Sequence, residues 1–134
     1  MKDRLHDEAG LVGKVIILWV FILALLALAA VDTASIAFTT YKLSDVGSQA
    51  ASEGARTFDH THDIRDTCER VARVVQKEDP EAKLTKRGCR VRRPSGLVTV
   101  AIRKRANTIV AHRIPWTERF AVVVVKETAG PPSL

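Results

Sequence analysis

From Leu11 to Val31 the chain reads LVGKVIILWVFILALLALAAV, 21 residues with a single charge, Lys14, near the start. At about 1.5 Å per residue, a helix of that length reaches about 30 Å, the thickness of a bilayer's hydrocarbon core. A surface helix of a globular domain is apolar along one stripe, whereas this one is apolar all round. Residues 11–31 therefore read as a transmembrane helix, preceded by a short polar segment, residues 1–10. A cleaved signal peptide is the rival reading. Ala27-Leu28-Ala29 has the small-x-small pattern, and release after Ala29 would give a small secreted protein. Against it, the uncharged stretch from Val15 to Val31 exceeds an ordinary signal core, and the helical pattern runs on past the cut. Asp32 closes the segment and is expected in water at the outer interface, since a carboxylate inside the membrane would need a partner.

Flanking charge orients the span. Lys2, Arg4 and Lys14 precede it, and only Lys42 follows within about 20 residues, which places the N-terminus in the cytoplasm and the rest outside. Both cysteines, Cys68 and Cys89, fall in the external part and have only each other to pair with. In an oxidising compartment a bond closing that loop would stabilise by about 3 kcal/mol. Two unrelated buried thiols are the alternative.

Charge divides unevenly along the chain. Residues 1–59 carry 5 basic and 7 acidic groups, whereas residues 60–134 carry 16 and 8. The basic character thus belongs to the C-terminal half, and a field of that sign favours anionic partners without choosing among them.

Beyond Asp32, residues 32–58 place Ile36, Leu43, Gly47, Ala50, Gly54 and Phe58 at helical spacing, so the membrane helix is expected to continue outward as an amphipathic helix. This face is small enough for another backbone to approach closely. It suits a neighbouring subunit and the chain's own sheet equally. A second amphipathic helix is predicted from Ile64 to Lys77, with Ile64, Cys68, Val71 and Val75 on one face, ending before Asp79-Pro80. The period then changes to two. Cys89, Val91 and Arg93 alternate with Arg90 and Arg92, Pro94-Ser95-Gly96 signals a turn, and Leu97 to Arg105 completes a hairpin. Residues 106–116 suit a helical turn or a crossover, Phe120 to Val125 reads as a third strand, and the end of the chain reads as a frayed tail. The expected fold class is α+β: a long N-terminal helix, a second helix and a small three-stranded antiparallel sheet.

Chemistry is sparse. His60 and His62, flanked by Asp59 and Asp63, invite a metal reading, but i and i+2 do not share a helix face. No further His or Cys sits at ligand spacing, so solvated junction residues are expected. No phosphate loop, nucleophile motif or cofactor motif is present, and neither an enzymatic activity nor a cofactor is expected. Arg90, Arg92 and Arg93, with Arg103, Lys104 and Arg105 opposite in the hairpin, make a basic patch. It reads as a solvated strand face that protects edges, or as a contact for an anionic surface. Trp116 and Phe120 do not interleave with it, which leaves a nucleic-acid partner without its stacking platform.

The short polar N-terminus, the apolar helix, Asp32 and the small-residue continuation LSDVGSQAASEGAR together resemble the TadE-like proteins, pilin-like minor components of the bacterial tight-adherence (Flp) pilus machinery. The resemblance covers residues 8–58 and extends loosely into Leu97 to Ile102 and Thr117 to Val125. It implies a pilin-like component or assembly factor, single-pass in the bacterial cell membrane, with pilin-like or secretion-system subunits as partners. Pilin-like members commonly carry a processing glycine followed shortly by glutamate. Here Gly10 is followed by Leu11-Val12-Gly13-Lys14-Val15, which favours a permanently membrane-resident assembly factor. The expected organisation is therefore a cytoplasmic segment 1–10, a membrane helix 11–31, its outward continuation 32–58, an extracytoplasmic head 59–127 and a flexible tail 128–134. The other readings are an anchored module holding anionic envelope polymer or DNA through the basic hairpin, and the released secreted protein.

Overall fold

The computed structural model describes residues 3–111 and 113–132. Its spine is α1, Asp3–Thr61, an unbroken α-helix of 59 residues, about 90 Å long at the usual rise. No proline interrupts it. Thr33, Thr40, Thr57 and Thr61 each donate their hydroxyl to the carbonyl four residues back, at 2.8 to 2.9 Å, so these polar groups are satisfied within the helix.

The helix changes role near residue 32. Every Leu, Ile, Val, Trp and Phe from Leu11 to Val31 is exposed, whereas Leu43, Val46, Ala50, Ala51, Ala55 and Phe58 are buried. His62, at φ 55°, ends the helix in the left-handed region, and its N–H donates to the Phe58 carbonyl at 2.8 Å. Asp63 then caps α2, Ile64–Glu78, accepting from the amides of Arg65 and Asp66. Thr67, Val71 and Val75 are the buried face of α2.

Three antiparallel strands follow in the spatial order β1-β2-β3: β1 (Lys83–Arg92), β2 (Leu97–Arg105) and β3 (Val122–Ala129). Alternation puts Val98, Val100, Ile102, Val123 and Val125 on the face against α1. A disulfide between Cys68 and Cys89, with Cα atoms 5.8 Å apart, ties α2 to β1. The α+β arrangement is thus as the sequence predicts, with shifted boundaries. The first helix runs past Phe58 to Thr61, β1 begins at Lys83, and β3 spans Val122–Ala129 while Phe120 and Ala121 sit in a short 3-10 turn. The strand so takes in Thr128 and Ala129 of the expected tail, and Gly130 and Pro131 pack towards Leu97 and Gly96. Ser133 and Leu134 lie outside the described residues, as does Lys2.

The β1 boundary has a local cause. Register slips between Leu84 and Cys89, and a Cβ on Gly88 would stand 2.6 Å from the Ala101 carbonyl oxygen. A bulge at a residue without a side chain hides the alternation on which strand recognition depends.

The small-residue face of α1 is taken by the chain itself. Leu43 and Ala50 are wholly buried, Phe58 nearly so, and Ile36 packs at the margin of the same core. A Cβ on Gly47 would meet Glu127 at 3.0 Å, and one on Gly54 would meet Val71 at 2.7 Å and Val98 at 3.0 Å. Of the two partners open to this face, the chain's own sheet and second helix occupy it, and a neighbouring subunit cannot.

Polar ties surround this core. Lys104 lies on the inner face and donates to Asp79 at 2.7 Å. Burial pushes the Asp79 carboxyl up, but the Lys104 ammonium, the Glu81 N–H and the charge of Lys42 together hold it below the usual carboxylate range. Ser44 donates to Glu127 from α1 to β3.

Gly54→Ala gains about 1 kcal/mol of helix propensity but drives a methyl into two stiff valines, an overpacking cost of about 1–3 kcal/mol. Thermal unfolding in detergent should show the variant destabilised, and Gly13→Ala, with open space around it, unchanged or slightly stabilised. An unshifted midpoint for Gly54→Ala would contradict the packing described.

Candidate functional site

β2 runs antiparallel to the outward half of α1. Val98 faces Gly54 and Ile102 faces Gly47, and Asn107 accepts from the Ser35 hydroxyl at 2.6 Å. Following β2 downwards thus leads back along α1 towards the apolar segment. The descent ends at Asp32. Its carboxylate accepts the backbone N–H of Ile109 at 2.6 Å, Val110 at 2.9 Å and Ala111 at 3.0 Å. Asp32 is only 7% exposed. The expectation of a solvated interface carboxylate is therefore corrected: successive amides of a distant loop replace its water. Such a run of N–H groups forms an anion-binding concavity, here filled by a residue of the same chain. The only signal in the sequence is that Asp32 is the sole charge between Lys14 and Lys42. Nothing marks residues 109–111 as its partner.

The clamped loop, residues 106–121, joins β2 to β3. Its ends meet where the Ala106 N–H donates to the Ala121 carbonyl at 2.7 Å. Inside it, the Thr117 hydroxyl donates to the carbonyls of Ala111 and Ile114, and the Arg113 amide donates to Val110. This is a compact loop with close ends, a type that is often functional. Its surface is apolar and basic together. Ile109 is 49% exposed, Trp116 72% and Phe120 58%, while Arg113 and Arg119 are exposed beside them. The Arg119 guanidinium lies 5.1 Å from the centre of the Phe120 ring, and Arg105 pairs with Glu118.

The second surface is the sheet face turned away from α1. Register places Lys83, Arg90, Arg92, Arg103, Arg105 and Lys126 on it, with Thr99, Ala101 and Val124 between. Those positions hold no acid and no aromatic residue. Of the predicted basic patch, Arg90, Arg92, Arg103 and Arg105 are brought together here. Arg93 sits at the hairpin turn, and Lys104 points the other way to Asp79 and Glu81. Lys126 joins from β3, a neighbour that a hairpin-only reading does not include.

His60 and His62 do not converge. His60 is in the last turn of α1, and His62 stacks on Phe58 with ring centres 5.8 Å apart. Among the described residues, no group of three or more His, Cys, Asp or Glu gathers to hold a metal. A groove between α1 and α2 is lined by Ser52, Glu53, Arg56, Arg70 and Lys77, where Glu53 pairs with Arg56 at 3.4 Å and with Arg70 at 3.5 Å.

Asp32→Asn keeps the shape of the clamp but removes its charge, and one amide oxygen cannot replace two carboxylate oxygens facing three donors. The expected loss is about 2–3 kcal/mol, confined to the loop. Amide hydrogen exchange should show Ile109, Val110 and Ala111 losing protection while Val98 to Ile102 keep theirs. Equal protection in the variant would remove the clamp from the account.

Compared with protein-family models, with curated proteins and with solved structures, the chain gives no match in any of the three.

Proposed function

We propose that the chain is a single-pass, non-enzymatic, pilin-like component or assembly factor of a bacterial tight-adherence pilus or a related secretion system, TadE-like in kind. One observation carries the reading: a single unbroken helix is bare and apolar from Leu11 to Val31 and is built into a small antiparallel head beyond that segment. It is one helix long and apolar enough to cross a membrane, near the N-terminus. Its large side chains from Leu11 to Val31 are not covered by the head, so lipid or other apolar helices must cover them. The disulfide suits an oxidising compartment outside the cytoplasm. This agrees with the orientation that the flanking lysines and arginines favour. Helical structure runs through Ala29 into the Asp32 clamp without a break, which favours a retained anchor over release as a secreted protein.

With its small-residue face occupied, α1 meets neighbouring subunits on the opposite side, where Phe38 and Tyr41 stand exposed. The chain is expected to stay in the membrane through alkaline carbonate extraction and to lose its head only to protease added outside. Purified from native membranes in mild detergent, it is expected to bring pilin-like or secretion-system subunits with it. A mature N-terminus at Ala30 would overturn the anchor, and recovery of the chain alone would overturn the assembly role.

A second reading is favoured by the outer sheet face, whose strand positions gather six basic residues, of which Arg105 pairs with Glu118 of the neighbouring loop. An anionic envelope polymer fits it better than nucleic acid, because a sheet that reads bases offers them aromatic rings. The wild-type head should be retained on immobilised polyphosphate with an affinity that falls steeply with salt. Arg90→Glu combined with Arg92→Glu should abolish retention, and unchanged binding would refute this use of the face.

A further inference from the structure

The head has two ends of different chemistry. At the end far from the apolar segment, the Pro94-Ser95-Gly96 turn lies beside Asp59, His62 and Arg93, which are polar or charged. At the other end, the 106–121 loop is fastened to Asp32, the first residue beyond the apolar segment, and to Ser35 one turn later. This lower end carries the exposed Ile109, Trp116 and Phe120. Three large apolar side chains exposed to water are unfavourable, and their place in the fold decides what covers them. Arg113 and Arg119 flank them, while the two acids of this end are both engaged, Glu118 with Arg105 and Asp32 with the amides of the loop. Aromatic rings bordered by arginines at the level where a membrane span ends are the composition of the bilayer interface. There the rings lie among the upper acyl chains, and guanidinium groups reach phosphate oxygens.

We infer that the 106–121 loop is a second membrane contact, an interfacial foot that sets Trp116 and Phe120 into the headgroup boundary of the bilayer that α1 crosses, with Arg113 and Arg119 on lipid phosphates. The inference rests on the transmembrane reading of α1. The Asp32 clamp gives the foot its height, because it holds the loop at the end of the span and stops it rising with the sheet. Two contacts, one through the bilayer and one on it, fix how the head stands on the membrane, which a lone helix leaves free.

The two tryptophans of the chain, Trp19 and Trp116, allow a test that separates the foot from the span. Trp19→Phe leaves Trp116 as the only reporter, and Trp116→Phe leaves Trp19. Each full-length variant is placed in vesicles of phosphatidylethanolamine and phosphatidylglycerol brominated either near the headgroup or near the chain end. Trp116 should be quenched several-fold more by the shallow bromine than by the deep one, and shielded from aqueous iodide. Trp19, near the middle of the span, should show the reverse depth preference. If Trp116 ignores both lipids and is quenched freely by iodide, the loop stands in water and the foot is refuted. Shielding from iodide without lipid quenching means that another protein surface, such as a second copy, covers the loop, and this also refutes it. Trp19 escaping both brominated lipids would overturn the span itself, whatever Trp116 does.

Discussion

The structure depends on one backbone serving two environments. Through α1 the same hydrogen-bond ladder runs from a segment bare of any protein cover into a segment that forms one wall of a core. An apolar half long enough to cross a membrane would need the helix there, because backbone groups in a hydrocarbon medium must be satisfied within their own segment. The outer half inherits that helix and can offer the sheet only what a helix surface provides. Gly47, Ala50, Ala51, Gly54 and Ala55 make this surface flat enough for β2 and β3 to lie close. Glycine within a helix is unfavourable by about 1 kcal/mol, and the contacts of Val98 and Val71 at Gly54 offset it.

At the join between the halves, the problem is electrostatic. A carboxylate at the edge of an apolar region loses water on one side, and a loop of amides at the same place has donors with no strand to receive them. Each satisfies the other at Asp32. Elsewhere the pattern repeats with different partners: Lys104 with Asp79 joins β2 to the turn after α2, and Ser44 with Glu127 joins α1 to β3. Each tie links segments far apart in sequence, so polar groups define which arrangement the non-directional apolar contacts adopt.

The elements legible in the sequence were those with an uninterrupted period. The apolar run, the α2 face through Val71 and Val75, and Leu97 to Arg105 all announce themselves in this way. The bulge at Gly88 broke the period, and with it went the first half of β1. Periodicity also named Gly47, Ala50 and Gly54 as a face but said nothing of what would cover it, because a helix and a sheet ask the same smallness of it. The Asp32 clamp was beyond reach for a different reason. Its donors are main-chain groups, which every residue but proline carries, so no side-chain pattern can mark Ile109, Val110 and Ala111. The pairing of Cys68 with Cys89 lay at the other extreme, since two cysteines leave one choice.

The absence of any break between Leu11 and Phe58 gives the apolar segment an angular scale as well as a linear one. One residue added within it would lift the head by about 1.5 Å relative to everything before it, and would also turn it by about 100°. Whatever grips the side chains of residues 11–31 from one side therefore sets the compass bearing of the arginine-bearing sheet face. The length of the segment is in this sense a phase, and two chains differing by one residue there would present their heads to different neighbours.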